Sequence, residues 1–104
     1  MWSPTPQPAP GPAPYLIRHG AGYTLYEHHS HALQQRLCLY TAPDAPVQIL
    51  RLRLQNRAQT ARHLTVTCYA EWVWGVDRAT TQAFIVPEDH QMPGAIFARN
   101  PYHE

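Results

Sequence analysis

The sequence predicts an all-β protein, an antiparallel β-sandwich entered by an extended, proline-rich N-terminal arm. Three observations carry that prediction. Apolar and polar residues alternate with period two over several runs, turn residues recur about every ten positions, and no segment shows a helical stripe. At 104 residues the chain allows one modest domain, and a sandwich would use nearly all of it. The expected organisation is an arm over residues 1–14 and a β-sandwich domain over residues 15–104.

The arm, WSPTPQPAPGPAP after Met1, holds six of the eleven prolines. Proline fixes φ and offers no N–H to a ladder, so the arm is expected to run in polyproline-like geometry. Trp2 argues for docking, because a free tail rarely carries a large aromatic. Tyr15–Arg18 and Gly22–His28 read as two strands joined by His19-Gly20-Ala21. Tyr23, Leu25 and Glu27 fall on one face there, Thr24 and Tyr26 on the other. Leu33–Thr41 reads as a third strand with Leu33, Leu37 and Leu39 on one face, and Pro43-Asp44-Ala45-Pro46 as a turn.

Val47–Gln55 reads as a fourth strand, with Leu50, Leu52 and Leu54 opposite Ile49, Arg51 and Arg53. Asn56–Arg62 is a polar hairpin loop in this reading. His63–Val73 follows as a fifth strand, with Leu64, Val66, Cys68, Ala70 and Trp72 alternating against Thr65, Thr67, Tyr69 and Glu71. Two such runs with a short polar link predict an antiparallel pair. Thr80–Val86 and Ala95–Arg99 are the remaining strand candidates, separated by the polar stretch Pro87–Gly94.

Composition narrows the function classes. Eight arginines, no lysine and seven acids leave the net charge near zero, which gives no argument for nucleic acid or an anionic membrane. No apolar run approaches the roughly 18 residues of a membrane span. Met1-Trp-Ser-Pro has neither the basic nor the apolar region of a signal peptide. Cys38 and Cys68 lack metal or redox spacing and read as reduced residues packed as small hydrophobes. A cytoplasmic compartment is the expectation that follows.

No complete active site is visible. His29 and His31 of the run His28-His29-Ser30-His31 would share a face in a strand, as in a metal-binding β-barrel. Gln35 and Arg36 stand where such a site needs a carboxylate, and nothing fixes the geometry of His63 or His90 as further ligands, so no metal is assigned. Ser3 and Ser30 lack a nucleophile-elbow context. Gly20-Ala21-Gly22 lacks the rest of a phosphate loop and reads as a glycine hairpin. Glu27 and Glu71 sit in strands among aromatics, a setting that favours a general acid, but arginines such as Arg18, Arg51, Arg53 and Arg99 are available to pair with them. The aromatics Trp2, Tyr15, Tyr23, Tyr26, Tyr69, Trp72, Trp74 and Tyr102 exceed what one small core needs. Aromatic faces beside Arg and Glu suit sugar rings.

Four segments then stand in order: WSPT at 2–5, RHGAGYT at 18–24 with Glu27 after it, YAEWVWG at 69–75 and ARNPYHE at 98–104. Together with RLRLQN at 51–56 they resemble the N-terminal β-sandwich ("supersandwich", galactose-mutarotase-like) domain of glycoside hydrolase family 94, formerly glycosyltransferase family 36, most of all the copy in cyclic β-1,2-glucan synthases. The resemblance covers essentially the whole chain and implies a partial supersandwich domain. Enzymes of that family are inverting phosphorylases of β-glucosides, such as cellobiose and chitobiose phosphorylases. Their general-acid Asp and their phosphate site lie on a separate (α/α)6 barrel absent from this sequence.

The resemblance therefore carries over no catalytic residue, no metal and no cofactor. It implies a non-catalytic segment that supports the barrel of a glycosyltransferase or phosphorylase and contacts glucan, in a parent synthase at the inner membrane. A stand-alone carbohydrate-binding module using an aromatic face is the alternative. The sugar-contact candidates are Arg18, His19, Tyr23, Glu27, Glu71, Trp72 and Trp74. The expected partners are β-glucan or oligosaccharide, the barrel domain, and further copies of the chain pairing through uncovered sheet edges.

Overall fold

A computed structural model describes residues 1–89 and 94–101. The chain is all-β with antiparallel sheets, as the alternation predicts, and its helix among the described residues is limited to one short α-helical turn and one 3-10 turn. It forms two compact units, Met1–Leu64 and Thr65–Glu104.

The first unit is a four-stranded meander, β1 (Tyr15–Gly20), β2 (Tyr23–Ser30), β3 (Leu33–Thr41) and β4 (Gln48–Asn56), in the order β1-β2-β3-β4. Ala21-Gly22 makes the first turn, with Gly22 at φ 76°, so β1 runs two residues further than the expected Arg18. The Pro43–Pro46 turn is present, closed by a bond from Ala42 N–H to the Val47 carbonyl at 2.9 Å.

Register sorts the side chains. Ile17, Tyr26, Leu37 and Leu52 lie in one cross-strand row, Tyr15, His28, Gln35 and Leu54 in the next on the same face. Leu16, Glu27, Arg36 and Arg53 form a row on the opposite face. One face is therefore leucine-rich and the other arginine-rich. Leu33 (1% exposed) and Leu37 are the buried apolar residues, at the end of the leucine face that the arm approaches.

The arm docks, as Trp2 suggests, but it closes on itself instead of running straight. Ser3 N–H donates to the Ala9 carbonyl at 2.8 Å. The Tyr15 hydroxyl accepts from Gly11 N–H at 2.6 Å and donates to the Ser3 carbonyl at 2.9 Å. The Tyr15 ring stacks on His28 at 3.8 Å. Gly11 comes so close that a Cβ there would overlap His28 Nε2, so the arm needs glycine at this point.

The β2–β3 turn is His31-Ala32, with φ 54° and 55°. Two positive values match the hairpin turn that normally takes Asn-Gly, and each non-glycine residue there costs about 1 kcal/mol. Neighbours hold it: Trp2 stacks on His31 at 5.3 Å, Arg57 N–H donates to the Ala32 carbonyl at 2.8 Å, and Arg62 Nη1 donates to the His31 carbonyl. The expected strand position of His31 is thus corrected, because the chain turns back before it. His29 and His31 do not share a strand face.

The chain after β4 departs most from expectation. Residues 61–74 join no ladder, so the expected fifth strand His63–Val73 and its pairing with β4 are not formed. The link before it does turn, with Asn56 Nδ2 donating to the Thr60 carbonyl and Asn56 Oδ1 accepting from Ala58 N–H. Alternation specifies two faces but supplies no hydrogen-bonding partner. Cys68 consequently lies exposed instead of packed, while Cys38 is half-buried, and both are free thiols.

The expected strand over Thr80–Val86 is replaced by α1 (Arg78–Thr81) and a 3-10 turn at Gln82–Phe84. The cause is Asp77, whose carboxylate accepts from Ala79 and Thr80 N–H and so caps the helix start. The unit ends in a hairpin of β5 (Val86–Asp89) and β6 (Ile96–Arg99), the latter where Ala95–Arg99 is expected. His90 and Tyr102 lie outside the described residues.

Candidate functional site

The arginine face of the first sheet gathers three of the expected sugar-contact residues. Glu27 lies directly opposite Arg36, and its Oε1 accepts from Arg36 Nε at 2.9 Å and from Arg36 Nη2. Its Oε2 lies 3.6 Å from Arg18 Nη1. The carboxylate is thus engaged on both oxygens, and pairs this exposed contribute about 0–1 kcal/mol each. Tyr23 shares the face and lies against Gly20, its cross-strand partner.

His19 is separated from Arg18 by the strand pleat. It lies on the leucine face, exposed, with Nδ1 3.0 Å from the Thr24 hydroxyl of the facing residue. Adjacent in sequence, Arg18 and His19 therefore cannot serve one ligand on one face.

The other three candidates sit in the second unit. Glu71 Oε1 accepts from the Tyr69 hydroxyl at 2.6 Å, and Oε2 lies 2.7 Å from Arg78 Nη1. The Tyr69 hydroxyl is pushed above its ordinary value, chiefly by the hydrogen bond it gives to Glu71. Trp72 and Trp74 are 47% and 45% exposed, open aromatic surface in a segment without ladder partners. Asn100 Nδ2 donates to the Trp74 carbonyl at 3.4 Å.

Two features escape the sequence reading. Beneath the arm lies a polar cluster: His28 Nδ1–H donates to the Pro14 carbonyl at 3.0 Å, and Gln35 Nε2 donates to Ser30 Oγ at 3.2 Å. His28 Nε2 and Gln35 Oε1 are buried there without a partner. The second is a cleft of about 210 Å³ on the arginine face, lined by Gln34, Arg36, Arg53, Gln55 and Arg57. The alternating Arg51 and Arg53 were its visible signal, but only the register brings Arg36 opposite Arg53. Among the described residues, no group of three His, Cys, Asp or Glu converges as a metal site would require. No helix there is long and apolar enough to cross a membrane.

Comparison with known proteins places these features in a family. Residues 1–104 match the glycosyl hydrolase 94 supersandwich domain. The chain is 34% identical over 88 residues to the cyclic beta-(1,2)-glucan synthase NdvB of Rhizobium meliloti (strain 1021), covering 85% of this chain. It spans 3% of that relative's length. No solved structure matches.

Proposed function

The chain belongs to the glycosyl hydrolase 94 supersandwich family, and from that premise we propose that it is a non-catalytic β-sandwich segment of a carbohydrate-active enzyme. The enzyme is of cyclic β-1,2-glucan synthase or β-glucoside phosphorylase type and works from the cytoplasmic side. The segment supports the catalytic barrel and lines part of the glucan path. One observation carries the reading: Arg36 donates to Glu27 Oε1 through both Nε and Nη2, and Arg18 Nη1 lies 3.6 Å from Oε2, so the carboxylate braces β1, β2 and β3 together.

The test is an arginine-to-alanine change at the position equivalent to Arg18 in the full-length synthase relative. The expected result is a lower melting temperature or looser barrel docking, with kcat retained. Intact folding with abolished turnover overturns the reading.

A second reading, a stand-alone module that binds β-glucan, is favoured by the open faces of Trp72 and Trp74 beside the Glu71–Arg78 pair. Titration of the chain with β-1,2-glucan oligosaccharides separates the two, since saturable binding selects the second. Self-association belongs to the first reading, because neither β1 nor β4 has a ladder partner on its outer edge among the described residues. A clean monomer in sedimentation with one sharp thermal transition counts against it.

A further inference from the structure

We propose that the cleft between β3 and β4 on the arginine face is an oxyanion site that takes a phosphoryl group. Register sets Arg36 directly opposite Arg53, and like charges in facing positions destabilise a sheet. Glu27 is the only acid that the register places on this face, and Arg18 and Arg36 already share it. Arg51, Arg53 and Arg57 thus carry positive charge that no acid of the first unit pairs with among the described residues.

The cleft is also prearranged for donors. Three guanidinium groups and two side-chain amides line it, and no acid does. Arg57 Nη2 donates to Gln34 Oε1 at 2.7 Å, which tethers Arg57 and uses up the acceptor end of Gln34. Glu27 tethers Arg36 through Nε and Nη2, leaving that guanidinium its other N–H groups. Planar forks of this kind match phosphoryl oxygens two at a time. A neutral sugar accepts hydrogen bonds but leaves the Arg36–Arg53 repulsion in place. The cleft stands independently of the glucan contact proposed above.

The experiment titrates the 104-residue chain at constant ionic strength with inorganic phosphate, a hexose phosphate, chloride, acetate and glucose, followed by calorimetry and melting temperature. Phosphate and the ester are expected to bind saturably at one site, and the other three not. Tighter binding of the ester shows a phosphoryl group arriving on a larger molecule, and equal binding shows free phosphate. Arg53→Gln and, separately, Arg57→Gln each raise Kd about tenfold, the equivalent of one charge-assisted bond. Arg53→Gln also raises the melting temperature in anion-free buffer, a gain that an arginine serving only structure would not give. Arg78→Gln removes the same charge elsewhere and leaves Kd unchanged. Equal responses to phosphate and chloride or acetate, or an unchanged Kd in both Arg53→Gln and Arg57→Gln, overturn the proposal.

Discussion

β4 and the run from His63 to Val73 carry equally clean alternation, yet only β4 is built into a sheet. β4 pairs along its whole length with β3, which is itself clamped by β2. The later run pairs with no strand among the described residues, where β5 and β6 pair only with each other. Period-two patterning is therefore a statement about which residues share a face. Strand formation in addition requires a partner edge, and that requirement is not written in the run itself.

Hydrogen exchange breaks or sharpens this contrast most strongly. Backbone amides of β2 and β3 are expected to exchange about a hundredfold or more slowly than those of 63–73. Equal protection in both places would mean the later run has found a partner. Next in size is Leu33→Ala, which removes a fully buried side chain and is expected to cost about 3 kcal/mol by denaturant unfolding. Val66→Ala, on exposed surface, should stay within about 0.5 kcal/mol in the same measurement.

A smaller effect tests the strained turn. Ala32→Gly should stabilise the first unit by about 1 kcal/mol, because only the left-handed backbone penalty is relieved. Destabilisation would mean the methyl group contributes packing that outweighs strain. The smallest effect belongs to the second unit. Tyr69 holds its proton to higher pH than a free tyrosine because the neutral hydroxyl donates to Glu71. A raised folded value means the bond contributes below the unfolded titration near about 10 and is lost as pH climbs through the folded one. Glu71→Gln should bring the phenol titration, read by ultraviolet absorbance, back down.

Much of the first sheet was legible because each signal was local. Arg51 and Arg53 announced a polar face, the Pro43–Pro46 run a turn, and Trp2 a docked arm. The hairpin at His31-Ala32 was not legible, since neither residue is a usual positive-φ type and the turn depends on Trp2, Arg57 and Arg62 far away in sequence. α1 was missed for the opposite reason: Asp77 was a readable cap, but Thr80–Val86 was taken as a strand candidate. Of the site, alternation placed Tyr23 and Glu27 on one face, and the register adds Arg18 to it. His19 fell away through simple parity, and the Arg36–Arg53 cleft required knowing which residue of β3 faces which of β4.

The stack of Trp2 on His31 turns the arm into an optical reporter. Indole emission responds to the surroundings of the ring, so the fluorescence of Trp2 reads whether the arm is seated on His31. With Trp72 and Trp74 replaced by Phe, the chain retains a single indole, placed on its strained turn. A stopped-flow trace of that signal times the arrival of the arm separately from the pairing of the sheet beneath it.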